Sequence, residues 1–182
     1  MKKTVLTFGL ISGAVSSLMI VATVPFADRI GFDKGAVIGY TAIVLSFLLV
    51  FFGIRSYRDN VGNGQITFSK AFTVGISITL ISCLCYVVTW EILYFNFLPE
   101  FMDKYSAHIV EKMKASGASA AAIQVQLQQM KKLRELYDNP LINAAMTFIE
   151  PFPIGLVITL ISAAILRRKP QSQLAQSPLP VS

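Results

Sequence analysis

Four apolar stretches, each long enough to cross a bilayer, constrain this chain more than any other feature. They cover residues 4–27, 35–54, 71–97 and 141–166, and all but two of their residues are uncharged. At a rise of about 1.5 Å per residue, roughly 20 apolar residues in a helix span a hydrocarbon core about 30 Å thick. Hydrophobic residues make up 54% of the sequence and charged residues only 14%. A soluble domain uses about 25% charged residues to cover its surface, so a water-soluble fold is excluded. The fold class expected is all-α: a polytopic membrane protein with four transmembrane helices in one domain, residues 1–169.

The first stretch follows Met1-Lys2-Lys3, the usual context of a signal peptide. It exceeds the 7–15 apolar residues or so of a signal core, and Pro25-Phe26-Ala27 makes a poor cleavage site. An uncleaved first helix is expected. Residues 170–182 are rich in Pro, Ser and Gln and are expected to form a disordered cytoplasmic tail.

The net charge of +6 is a topology signal. Lys2, Lys3, Arg55, Arg58, Lys70, Arg167, Arg168 and Lys169 flank apolar stretches on one side, accompanied by a single acid, Asp59. The opposite side mixes its bases with nine acids, and most of those bases lie in one long segment. Short positive flanks orient a chain with that side inward, which puts both termini in the cytoplasm. No basic face is interleaved with aromatics, so nucleic acid is not an expected partner. The lipid bilayer is.

The long segment, residues 98–139, carries helical periodicity of its own. Leu98, Phe101, Met102, Tyr105, Ile109 and Met113 share one face, and Ser116-Gly117 breaks the pattern. Ser119 suits the cap of a second helix whose apolar face is Ile123, Leu127, Met130, Leu133 and Tyr137. Pro99 suits a first helical turn, and Asp138-Asn139-Pro140 ends the unit and opens the fourth crossing. An extracytoplasmic amphipathic hairpin is expected, resting on the membrane face or on a protein partner. Residues 55–70, with Asp59-Asn60 and Gly62-Asn63-Gly64, read as a loop on the other side.

Small residues recur four apart in every crossing: Gly9, Gly13 and Ser17; Gly35 and Gly39; Gly75 and Thr79; Gly155 and Thr159. This spacing lets helix backbones approach closely, either inside one bundle or between two copies in a homodimer.

Two carboxylates interrupt the apolar runs. Glu91 lies about six residues, roughly 9 Å, inside the third crossing, and Glu150 about nine residues, roughly 13 Å, inside the fourth. The helices run in opposite directions, so both acids fall at similar depth in the outer leaflet. A charge there is costly and points to function. Asn143, Thr147 and Glu150 form one polar stripe at i, i+4 and i+7. Pro151 and Pro153 lack N–H groups and leave the carbonyls of Thr147 and Ile149 without their helical donors. An all-oxygen cluster of this kind suits a proton or a hard cation. The plainer alternative is a protonated Glu150 bonded across helices, with Glu91 reaching headgroups or residues 29–34.

Cys83 and Cys85 point to nearly opposite helix faces and read as small apolar fillers. His108 is the one histidine, and no metal site, cofactor motif or catalytic constellation accompanies it, so an enzyme is not expected. Phe52-Gly53-Ile54-Arg55-Ser56-Tyr57-Arg58-Asp59, Gly64-Gln65-Ile66-Thr67-Phe68-Ser69-Lys70-Ala71-Phe72 and Glu150-Pro151-Phe152-Pro153-Ile154-Gly155-Leu156, with the terminal Arg167-Arg168-Lys169, resemble a group of bacterial integral membrane proteins, the domain-of-unknown-function family 4199 (DUF4199). The resemblance implies an inner-membrane location and four helices, and carries no activity or ligand with it. Two functions are therefore expected in competition. One is a membrane protein using a protonatable or cation-binding site at Glu150, with Glu91 as partner, for small-solute or ion transport. The other is an accessory protein whose hairpin binds a partner.

The topology is directly testable. A cysteine introduced in place of Ser106 should react with a membrane-impermeant maleimide in intact cells, and one in place of Asn63 should react only after the membrane is opened. The reverse result would invert the orientation.

Overall fold

A computed structural model describes residues 1–168, apart from the side chain of Asp28. The expected tail, residues 170–182, lies outside the described residues. The chain folds as α1 (Lys2–Thr23), a 3₁₀ turn (Val24–Phe26), α2 (Ala27–Ile30), α3 (Phe32–Asn60), α4 (Phe68–Phe97), α5 (Phe101–Ala115), α6 (Ala120–Tyr137), α7 (Pro140–Ile149) and α8 (Phe152–Leu166). No strand occurs among the described residues, where Ile66 and Arg168 alone pair as an isolated antiparallel bridge. Four helical stretches are long and apolar enough to cross a membrane: Lys2–Phe26, Phe32–Asn60, Phe68–Phe97 and Pro140–Leu166.

Several boundaries differ from those expected. α3 continues through Arg55 to Asn60, which shortens the loop, and the turn chemistry lies at Gly62, where a Cβ would strike the Gln65 carbonyl, and at Asn63 and Gly64, both at positive φ. Arg55, Arg58 and Asp59 instead make ion pairs along the end of that helix. α5 starts at Phe101, so Pro99 precedes the helix rather than occupying its first turn. The fourth crossing is two helices, with Glu150 and Pro151 at the break. The two missing N–H groups at Pro151 and Pro153 account for that interruption. Other caps follow the sequence closely. Ser119 accepts from the Ala122 amide at 3.2 Å, and Asn139 accepts from Leu141 at 3.0 Å with Pro140 at the first helical position.

The bundle buries polar side chains within an apolar core and also presents large apolar side chains on its outside. Ser12, Ser46, Thr79, Ser82, Asn143 and Thr159 are all essentially inaccessible. Leu18, Val37, Leu45, Leu84, Val88 and Ile165 are exposed on the outer faces. In water this arrangement would be strongly unfavourable, because large exposed apolar surfaces mark partner or membrane contact. In hydrocarbon it is the expected pattern, since lipid solvates the leucines and polar groups must find partners within the protein.

α4 is the central helix and packs on α1, α3, α7 and α8. The contacts depend on small residues. A Cβ on Gly9 would meet Ile81 Cβ at 2.9 Å, one on Gly13 would meet Cys85 Cβ at 2.6 Å, and one on Gly155 would collide with Thr79 Cγ2. Hydroxyls bond across the same contacts. Ser12 Oγ donates to the Ser46 carbonyl at 2.9 Å and lies 3.0 Å from Ser82 Oγ; Thr79 and Thr159 meet at 3.0 Å. The Gly9–Gly13 and Gly155 faces are thus taken up inside one chain. Gly35 and Gly39 depart from this pattern, because a Cβ at either would touch nothing within 4 Å. These two glycines pack against no helix.

Gly155→Ala should therefore lower stability by about 1–3 kcal/mol through overpacking. Gly39→Ala should leave it unchanged or raise it by up to about 1 kcal/mol through helix propensity. Unfolding midpoints in detergent would separate the two, and equal effects would contradict the packing described.

Candidate functional site

Gly35 and Gly39 line a cavity of about 440 Å³. Its walls come from α1, α3, α4 and α7, and the hairpin α5–α6 covers it, with Phe101, Met102, Tyr105, His108, Leu133 and Tyr137 facing in. The hairpin is held in place by ion pairs. Lys112 Nζ donates to both carboxylate oxygens of Asp33, at the start of α3, at 3.0 Å each. His108 Nε2 lies 3.5 Å from Asp33 Oδ1, an ion-pair distance without hydrogen-bond geometry. Arg134 of α6 pairs with Asp103 of α5 and ties the two hairpin helices together. These pairs are exposed, so each contributes little to stability, and their effect is to fix position.

An aromatic wall runs beneath the hairpin. The Phe32 ring lies 5.6 Å from Tyr105 and 5.9 Å from Phe101, and Phe101 meets Trp90 edge-on at 5.1 Å. Tyr94 continues the wall, 5.9 Å from Trp90 and 5.9 Å from Tyr137. Edge-to-face rings at these separations attract beyond their simple burial. Burial pushes the Tyr137 phenol above its ordinary range and the nearby Glu150 charge adds to the shift, so it is a neutral wall residue at physiological pH.

Glu150 lies at the break between α7 and α8 and lines this cavity. It is exposed, although protein atoms crowd most of it; its place in the cavity wall accounts for both observations. The Tyr86 hydroxyl donates to Glu150 Oε2 at 3.1 Å, and Tyr40 of α3 reaches the same carboxylate. Helices α3, α4 and α7 therefore converge on one acid through two phenols.

The other residues of the expected stripe are used differently. Asn143 is fully buried, and its Oδ1 accepts from Trp90 Nε1 at 2.9 Å and from Thr147 Oγ1 at 3.2 Å. Its Nδ2 donates to the Tyr137 carbonyl at 3.0 Å. Asn143 is thus a clasp joining α4, α6 and α7, while Thr147 lies between that clasp and the cavity. Glu91 is apart from both. It follows Thr79, Cys83 and Val87 along α4, its Oε1 is buried without a hydrogen-bond partner among the described residues, and it does not line the cavity. The structure brings together Thr147 and Glu150, and leaves Glu91 elsewhere.

No group of three or more His, Cys, Asp or Glu side chains is placed to hold a metal ion among the described residues. One carboxylate and two phenols provide far fewer oxygens than the roughly six to eight that a hard divalent cation takes. The arrangement suits a proton or a single positively charged group.

Tyr40, Tyr86 and Trp90 were not singled out by sequence reasoning. A signal existed for two of them, because Tyr86, Trp90 and Tyr94 recur at i, i+4 and i+8 on an otherwise aliphatic helix. Nothing in the sequence joins Tyr40 to them.

A helical bundle with four apolar segments long enough to cross a membrane, hydroxyls paired inside it and an apolar exterior is of the integral membrane protein class. Residues 7–168 match the family model described as a protein of unknown function, DUF4199, and the chain belongs to that family. No curated protein and no solved structure matches it.

Replacing Asn143 by Leu should remove the clasp and leave the half-buried Trp90 N–H without its acceptor, destabilising the protein by about 1–3 kcal/mol. Thermal unfolding followed by the emission of Trp90, the single tryptophan, would report it; an unchanged midpoint would contradict the clasp.

Proposed function

We propose that this chain is a multi-pass protein of the bacterial inner membrane, with both termini cytoplasmic, that admits a proton or a small positively charged solute to Glu150 from the extracytoplasmic side during transport. The observation that carries this reading is a carboxylate that accepts from the Tyr86 phenol and has the Tyr40 phenol close by, in the wall of a cavity of about 440 Å³. An acid at membrane depth is costly to keep, and an apolar residue of similar size would serve packing alone. The volume falls within the roughly 300–1,000 Å³ of small-molecule sites and far exceeds the needs of one water. Covering of the cavity by a hairpin fixed through exposed ion pairs supports entry from that side. Four crossings in one chain are few for a complete path, and a second copy is the partner this reading calls for. We assign no catalytic role to the chain.

A second reading has its own observation. α6 has no fully buried residue and exposes Val125, Leu127 and Leu136, which suits the hairpin to docking a partner in the periplasm in an accessory role.

Accessibility at position 150 separates the two. With Cys83 and Cys85 replaced by Ala, Glu150→Cys should react with an impermeant maleimide added to intact cells. Failure to react, while a Ser106→Cys control reacts and the protein is folded, would remove the transport reading and favour the accessory one.

A further inference from the structure

The composition of the cavity defines a ligand class more closely than its volume does. Tyr40, Tyr86, Trp90, Phe101, Tyr105 and Tyr137 all contribute to its lining, and among the described residues no Lys or Arg does. Among the described residues, its ionisable lining groups are Glu150, Asp33 and His108, apart from the phenols. Asp33 is already paired with Lys112, which leaves Glu150 as the carboxylate whose neighbours in the cavity are neutral phenols. Aromatic faces carry negative potential and attract cations that shed their water, quaternary ammonium groups above all. One carboxylate among such faces matches one positive charge on an organic body. A bare metal ion would leave most of the space unfilled and would lack oxygen ligands. An anion would meet no Lys or Arg in the lining.

We propose that the cavity binds an organic ammonium, with the cationic group between the Glu150 carboxylate and the aromatic wall and the apolar part beneath the hairpin. This rests on the proposed entry of solute to Glu150 and names the solute class. Gly35 and Gly39 fit the same picture, since the space beside them is open and belongs to the cavity. A free amine and a lipid headgroup both carry this ammonium chemistry.

The chain provides its own reporter, because its single tryptophan, Trp90, lies in the cavity wall. The purified full chain in phosphatidylglycerol nanodiscs would be titrated with benzyltrimethylammonium and, separately, with neopentylbenzene, its uncharged carbon isostere. Saturable change in Trp90 emission is expected with the ammonium, at least about tenfold tighter than with the isostere. Glu150→Gln should abolish that preference, and Tyr40→Leu should cost more than Tyr40→Phe, which keeps the ring. The comparison of the two probes on the unaltered protein requires no variant to fold. Equal binding of both probes overturns the inference. So does an absence of binding where the Glu150→Cys variant is labelled from outside, and in that case access to the cavity stands. Absence of both binding and labelling removes the transport reading as well. Repeating the titration with phosphatidylethanolamine in the nanodisc assigns the source: weakened binding means a lipid ammonium occupies the site, and unchanged binding means a free amine does. Either result keeps the ammonium chemistry.

Discussion

Everything in this protein hangs on how closely α4 can approach its neighbours. Lipid gives helices no hydrophobic reason to associate, because hydrocarbon solvates leucine as well as another leucine does. What remains is dispersion across short distances and hydrogen bonds that water does not compete for. Gly9, Gly13 and Gly155 provide the short distances, and Ser12, Ser82, Thr79 and Thr159 provide the bonds. The result is a bundle whose interior mixes hydroxyls with close-packed apolar side chains such as Phe47, Ile54 and Ile78, while further large aliphatic side chains are turned outward.

The cavity is the region where that close packing stops. Along α3, Phe47, Val50 and Ile54 are tightly buried, yet a few turns earlier Gly35 and Gly39 border open space. Larger aromatic residues take over at that end of the bundle, and rings packed edge-on cannot close a gap as glycine contacts do. The hairpin covers what is left open. Its helices are anchored by ion pairs to Asp33 and to one another, and by Asn143 to α4 through Trp90. A rigid aromatic wall, a clasped hairpin and one carboxylate at a helix break together make a defined site, although no single one of them would.

The break at Glu150 shows how local chemistry feeds into this. Two prolines two residues apart remove two helical donors and interrupt the hydrogen-bond ladder, while the backbone of Glu150 and Pro151 stays in the right-handed helical region. The acid is placed at that discontinuity, where its carboxylate reaches phenols on two other helices. Asn143 and Thr147 share its stripe in sequence, and both are committed to the clasp. Three polar residues on one helix face thus divide into one whose carboxylate meets the phenols at the cavity and two that hold the helix in position.

Much of the architecture was legible in the sequence because bilayer thickness and helix geometry are local constraints. Apolar length set the crossings, charged flanks suggested their orientation, and the caps at Ser119 and Asn139 marked helix starts. Glu150 stood out because a carboxylate in an apolar run is anomalous wherever the rest of the chain lies. The sequence could not reveal that Gly35 and Gly39 border a cavity while Gly9 and Gly13 are packed shut, since identical spacing serves both. Its polar stripe and prolines favoured Glu150 over Glu91, yet nothing in the sequence could show that Glu150 lines the cavity and Glu91 does not. Those distinctions depend on which helix face meets which neighbour, and that is fixed only when the crossings pack together. The sequence by itself determined what spans the membrane; the tertiary structure decided what the spans enclose, because a cavity is made by residues distant in the chain and close only in space.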